Sequence, residues 1–415
     1  MALALLCVVA ADAATTHNDD SCDIGVAPAA TLLLPYFEVD LDRPPGRART
    51  TIFTIVNTSQ YPQIARVTLW SDLAYPVVNF NLFLTGYDVQ AVNLYDVLTT
   101  GATGGFLTGP GQRSLANDLN PNHASTPCPR EVLPQALLAD VRSILTTGRM
   151  PSCGAGQVGT MHSRTTGYAT IDVVNSCDVT FPDDTAYYDE LLYDNVLIGD
   201  YQHVNPDPTF GNYAGASPLV HIRAIPEGGL AGAKVTPNFP RTFYDRYTPP
   251  ASPHIDRRQP LPSVFAVHFV QGGQGAFNTN LQIWHEGITG GTGCNRYFGH
   301  FKTPVTEEVR FDEHENPTEL NPEIRIAAYQ YITVTLPATS VTPTSSYIFP
   351  PLWLFSGADV GGWLYLNLTK PSWVTAIMQA EGRYSGASDA QMLGNGCSPV
   401  LAAKAVIGPA PNAQP

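Results

Sequence analysis

Ile52–Asp72 reads IFTIVNTSQYPQIARVTLWSD, and Val264–Glu286 reads VFAVHFVQGGQGAFNTNLQIWHE. Each holds two runs of β-branched and aromatic residues around a polar turn, and each closes on a Trp followed by a polar and an acidic residue. The second copy is two residues longer between its Phe and its Trp. The difference falls in the turn, where length is free to vary. Ala65, Val67 and Leu69 alternate with Arg66, Thr68 and Trp70, and Thr279, Leu281 and Ile283 alternate with Asn280, Gln282 and Trp284. Successive side chains of a strand point to opposite faces, so both copies predict a largely apolar inner face and a polar outer face that ends in Trp.

A second pair of segments supports duplication. GYATIDVV from Gly167 matches GWLYLNLT from Gly362. Ala169, Ile171 and Val173 correspond to Leu364, Leu366 and Leu368 on the inner face, and Tyr168, Thr170 and Asp172 to Trp363, Tyr365 and Asn367 outside. The rival explanation is that sandwich strands resemble one another by chance. Further strand-like runs are Val77–Leu84, Val89–Leu98, Val196–Tyr201, Leu219–Ile225, Ile324–Leu336 and Trp373–Gln379, punctuated by Gly, Pro, Asn and Asp. No regular strand-helix alternation argues for a parallel α/β sheet. The expectation is an all-β protein of two β-sandwich-like (immunoglobulin-like) domains, 22–226 and 262–405. A Pro-rich linker, 227–261, joins them, and a disordered tail, 406–415, follows.

One helix stands out. In Glu131–Thr147, Leu133, Leu137, Val141 and Ile144 mark one face of a 3.6-residue period, and Gly148 suits the position after the last turn. With the Gly-, Asn- and Pro-rich stretch before it, 99–165 reads as a loop-helix-loop insertion decorating the first domain.

The N-terminus, MALALLCVVAADAATT, carries a short apolar run and a small-x-small site at Ala11-Asp12-Ala13. Residues 1–13 are expected to be a signal peptide, although no Lys or Arg precedes the run; the alternative is a buried N-terminal strand. Removing it takes Cys7 and leaves six cysteines, so three disulfides are expected: Cys128–Cys153 locally, Cys22–Cys177 in the first domain and Cys294–Cys397 in the second. The expected location is secreted, periplasmic or at the cell surface. No segment reaches the length of a membrane span.

The 415 residues carry 36 Asp and Glu against 22 Lys and Arg, and 14% are charged. That balance argues against a nucleic-acid partner, which needs a basic stripe for phosphates. The runs ATLLLPYFEVD, RVTLWSD, LTGYDVQAVNLYDVL, GYATIDVVNSC, DRRQPLP, NLQIWHEG and AEGRYS resemble those of an uncharacterised group of secreted bacterial β-rich proteins. The resemblance implies export and a β-rich fold, and brings no catalytic residues.

Motifs for chemistry are missing. The chain has no GxSxG, no GxxxxGK[ST], no HExxH and no CxxC. Two acidic clusters are candidates for calcium: Asp183, Asp184 and Asp189, and Asp312, Glu313 and Glu315. Calcium takes six to eight oxygens, often from loops. Neither cluster follows the EF-hand order, and a solvated acidic loop is the alternative reading. Trp70, Trp284, Trp363 and Tyr365 are candidates for sugar stacking on the outer face. Their alternative is burial under loops or against the other domain. The expected function is a structural or adhesive role without catalysis and without a cofactor other than calcium, toward other surface proteins or glycans. A carbohydrate-binding protein using the outer aromatics is the second reading, and a hydrolase with an acidic site the third.

Overall fold

The computed structural model describes residues 27–103, 128, 132–206, 216–224, 258–270 and 277–285, then strand-bearing stretches as far as 393; positions 155, 160, 183, 185 and 260 fall outside it. The expected signal peptide 1–13, the expected tail 406–415, most of the expected 227–261 linker, and Cys22, Cys294 and Cys397 lie outside the described residues.

The first half contains β1 (Thr31–Val39), β2 (Thr50–Asn57), β3 (Gln63–Trp70), β4 (Pro76–Leu84), β5 (Val89–Asn93), α1 (Leu94–Thr100) and α2 (Gln135–Thr147). The short pair β6 (Arg149–Met150) and β7 (Gly156–Gln157) follows, then β8 (Thr165–Val174), α3 (Ala186–Glu190), β9 (Leu197–Val204), β10 (Ala216–Pro218) and β11 (Val220–Ile222). Two antiparallel sheets form: sheet A in the order β11-β1-β8-β3-β4, and sheet B in the order β10-β9-β2-β5. Their facing sides enclose Leu32, Leu34, Phe53, Ile55, Ala65, Val67, Leu69, Ala169, Ile171 and Val173.

The second half contains β12 (Val264–Val270), β13 (Phe277–His285), β14 (Thr289–Gly290), β15 (Tyr297–Phe298), β16 (Thr303–Pro304) and β17 (Glu307–Asp312). It continues with β18 (Pro317–Leu320), β19 (Arg325–Ile326), β20 (Tyr331–Thr335), β21 (Gly361–Asn367), β22 (Ser372–Ala380), β23 (Tyr384–Asp389) and β24 (Gln391–Met392). Sheet C runs β18-β17-β21-β12-β24 and sheet D runs β20-β13-β22-β23. The molecule is therefore all-β and sandwich-like. No helix among the described residues is long and apolar enough to cross a membrane.

The Ile52–Asp72 and Val264–Glu286 segments do the same job in both halves. β2 belongs to sheet B and β3 to sheet A; β12 belongs to sheet C and β13 to sheet D. Each segment is thus a crossing between sheets rather than a hairpin within one. Leu281 and Ile283 are buried on the inner face and Trp284 falls on the other, as alternation requires.

The second match needs correction. Tyr168 on β8 lies opposite Trp70 in sheet A, whereas Trp363 on β21 lies opposite His268 and Phe311 in sheet C. The residue opposite Trp284 is Trp373 on β22. Strand alternation reports which face a side chain takes, not which sheet the strand joins, and GYATIDVV and GWLYLNLT share only the former.

Two further expectations change. Val89–Leu98 is not one strand: β5 stops at Asn93, whose side chain accepts from the Tyr95 N–H and caps α1. α2 turns Leu138, Val141, Ile144 and Leu145 inward and leaves Leu137 exposed. Its buried residues belong to the core between sheets A and B, so α2 closes that core rather than decorating it. β1 adds a strand that its sequence disguises, because Pro35 lacks an N–H for the ladder. The pairing of β1 with β8 shifts register between Leu34 and Phe37, which accommodates Pro35 in a bulge.

Candidate functional site

β3, β4 and β8 carry polar residues among their apolar ones, yet nearly every residue on them and on β1 is buried. The outer face of sheet A is covered twice. At one end Leu33, Trp70, Tyr168, Val220 and Ile222 join a single apolar cluster with Phe265, Leu281, Trp284, Leu366 and Trp373 of the second half. Trp70 stacks on Tyr168 with centroids 5.7 Å apart, and Tyr168 meets Trp284 edge-on at 5.8 Å. The Trp70 indole N–H donates to Thr170 Oγ1 at 2.9 Å. Gly167 makes this packing possible, because a Cβ there would lie 2.3 Å from the Trp70 carbonyl oxygen and 2.7 Å from the Phe37 ring.

Trp70 and Trp284 are 2% and 1% exposed, so neither ring offers a face to a sugar. Tyr365 is buried with Val264 and Val309. Trp363 is half-buried and lies flat on Phe311, with centroids 4.0 Å apart. The four aromatics point away from their own sandwich cores as alternation requires. Trp70 and Trp284 meet where the outside of each sandwich becomes the inside of the molecule.

The other end of the same face carries a charge network. Arg66 donates to Asn81 Oδ1 at 3.2 Å, to the Asp178 carbonyl at 2.5 Å and to the Glu190 carboxylate. Asp172 lies beside it on β8 and is fully buried. Its carboxylate accepts from Thr31 Oγ1 at 2.5 Å, from Arg258 Nη1 at 2.8 Å and from the Tyr187 hydroxyl. Burial, followed by the Asp172 charge, pushes the Tyr187 hydroxyl well above its usual pKa, so it acts as a donor. Arg258 belongs to the expected linker. There it bridges to Ala224 and the Gln259 N–H donates to the Arg223 carbonyl, so this end of the linker is folded onto the first sandwich.

A disulfide holds the cover over this network. Cys128 pairs with Cys177, Cα–Cα 5.4 Å, beside Ile64, Phe83, Val174, Tyr187 and Tyr188. This replaces both the Cys128–Cys153 and the Cys22–Cys177 pairings. Nearness in sequence favoured Cys153. The sheet instead brings the segment after β8 back over β3 and β4, so Cys128 meets Cys177.

The calcium candidates do not converge. Asp183 lies outside the described residues. Asp184 Oδ1 accepts from the Ala186 N–H, and Asp189 is exposed on α3. Asp312 closes the β17–β18 turn, accepting from the N–H groups of His314 and Asn316 and from Asn316 Nδ2. The Asn316 side chain, followed by its N–H, holds the Asp312 carboxyl below its usual range. Glu313 and Glu315 are exposed, and Glu315 takes a left-handed conformation with φ 63°. Among the described residues no three His, Cys, Asp or Glu side chains are grouped to hold a metal.

A polar cluster beside the β1 bulge unites residues that no motif joins. Glu38 accepts from Arg164 Nη1 at 2.6 Å, from Tyr36 Oη at 2.9 Å and from Arg49 Nη1 at 3.3 Å. Burial raises its pKa, but Arg164, Tyr36 and Arg49 outweigh it, so the carboxyl stays ionised below its usual range. His203 sits behind, its Nδ1 3.0 Å from Thr51 Oγ1 and its ring against Tyr36 and Tyr201. Burial pushes His203 down to about 4, so the ring is neutral near pH 7. Tyr201 carries the cluster to the second sandwich: burial, and then Asp389, raise its hydroxyl. Asp389 is itself raised by burial while accepting from Trp373 Nε1 at 3.2 Å and Thr375 Oγ1 at 3.0 Å. A carboxylate neutralised by two arginines and a histidine held neutral suit a fixed junction better than proton transfer. Comparison of the chain with family models, with curated proteins and with solved structures finds no match.

Proposed function

We propose that the chain is an exported structural or adhesive protein of the cell surface or extracellular space, without catalysis, built from two immunoglobulin-like modules. The seam Trp70–Tyr168–Trp284 carries this reading, because it joins the two sandwiches through one continuous apolar cluster. Among the described residues the joint is filled by packed aromatic rings, which suits a body that presents its loops at fixed separation. The Cys128–Cys177 pair supports an oxidising compartment. The antiparallel sheets of four and five strands support the module type.

Expression of the full reading frame followed by fractionation and non-reducing peptide mapping tests the reading. The expected product is found outside the cytoplasm, cleaved near Ala13, with Cys128 joined to Cys177. Retention in the cytoplasm with Met1 present and both thiols reduced would overturn it. So would turnover of a glycoside or ester substrate that Glu38→Gln abolishes.

A further inference from the structure

Tyr87 is 70% exposed, and its backbone is left-handed with φ 57°. It stands in the Thr85–Asp88 turn, where the Asp88 N–H donates to the Thr85 carbonyl at 3.1 Å. A positive φ at this place in a turn calls for Gly or Asn, and here Gly is one residue early. Gly86 cannot be exchanged for a larger residue, since a Cβ there would lie 2.2 Å from the Gln60 carbonyl oxygen. The turn is thereby pressed against the β2–β3 crossing, which displays Tyr61 at 40% exposure, and Val89 follows at 51%.

The two loops are locked together. The Tyr87 N–H donates to the Ser59 carbonyl at 2.9 Å. Asn57 Nδ2 donates to the carbonyls of Tyr61 and Thr85 at 2.7 and 2.9 Å. Asp88 is the one charged residue in 57–63 and 85–91. Its carboxylate accepts from the N–H groups of Thr85 and Val89, so it belongs to the turn. The tip is thus a hydrogen-bonded surface of phenols and amides whose one charged group is a carboxylate held by the turn, on a chain of net charge −14. A left-handed conformation that also holds a large ring in solvent is a strain to be explained by what the ring meets.

We propose that Tyr61 and Tyr87 form a binding tip for a neutral glycan, with the phenol rings stacking on sugar faces and the exposed Gln60 amide beside them for its hydroxyls. The proposal rests on the adhesive reading and gives it a surface and a partner class. Residues 57–63 and 85–91 offer an acidic glycan no cation, and an uncharged one needs none.

The test uses the purified full chain and a panel of neutral oligosaccharides with their sialylated and sulfated counterparts, so it is independent of where the protein resides. Binding to neutral members is expected. Tyr87→Gly relieves the backbone while removing the ring, so it should keep or raise the unfolding midpoint and weaken binding about tenfold or more, as loss of an aromatic anchor does. Tyr61→Ala should weaken binding likewise. Binding that survives both substitutions, binding confined to charged glycans, or no binding to the neutral panel would each overturn the proposal. Attachment to cells that persists after enzymatic removal of surface glycans would point to a protein partner and overturn it too.

Discussion

His203 and Asp172 show how single buried groups set the molecule's response to pH and to substitution. Folding holds the His203 pKa at about 4 against an ordinary 6.5, so the folded chain binds fewer protons than the unfolded chain between those values. The stability linked to the neutral ring is complete above pH 6.5 and is lost as pH falls toward 4; a shift of that size is worth roughly 3 kcal/mol. Glu38, held below 4.5, adds a loss of the same sign at lower pH. His203→Asn, which can retain a polar atom near Thr51, should therefore flatten the stability curve between pH 6.5 and 4.5 while the loss below 4.5 remains. Urea denaturation at stepped pH measures this, and an unchanged slope in the variant would place the titrating group elsewhere. Asp172 supplies the second prediction. It is buried with Arg258, whose side chain is 2% exposed, so removing the cation strands a carboxylate out of water. Arg258→Met should cost about 3–5 kcal/mol, whereas loss of an exposed pair such as Arg43–Asp40 should cost about 0–1 kcal/mol. Equal effects in denaturant titrations would mean that water reaches Asp172.

At the level of elements, strand type was legible and strand partnership was not. Gln63–Trp70 and Phe277–His285 announce themselves by alternation, because burying one face of a strand forces period two on its sequence. β1 is disguised because Pro35 interrupts an otherwise apolar run, and β17 because Glu307-Glu308 and Asp312 put charge at both of its ends. The Asn93 cap that ends β5 was in plain view as a helix start signal, overridden by the Val- and Leu-rich residues around it. α2 is legible as a helix with Val141 and Ile144 on its inward face, but the pattern selects Leu137 where packing buries Leu138. Leu133 precedes the helix, and starting the period there selects Leu137, while packing selects Leu138. This gives a sharp contrast: Leu138→Ala should cost about 2–5 kcal/mol for a buried leucine and the cavity it leaves. Leu137→Ala, on a residue 38% exposed, should stay within about 1 kcal/mol. Chemical denaturation of the pair decides it, and a larger effect at Leu137 would reverse the assigned face.

At the scale of the whole molecule, outward-facing aromatics were the part of the sequence most easily misread. Trp70 and Trp284 alternate as surface residues because a strand records only which side of its own sheet a residue takes. That a second sandwich covers that side is a property of the assembled chain, written partly in residues as distant as Leu33, Val220 and Trp373. The buried charges follow the same logic: Arg66 and Asp172 read as the polar side of strands, and the segment tethered by Cys177 turns that side into interior. The seam has a thermodynamic consequence. Two sandwiches that share an apolar cluster lose contacts together when either opens, which couples their unfolding. Calorimetry of the intact chain should give one transition. Trp284→Ala, which removes a ring that is 1% exposed and meets Tyr168 across the seam, should cost about 3–5 kcal/mol. Because Trp284 belongs to the second half, a coupled molecule would show near-ultraviolet signals of Tyr168 and Trp70 lost at the same lowered temperature. Two separate transitions, with only the second displaced by the substitution, would show that the sandwiches fold independently and that the seam does not bind them into one body.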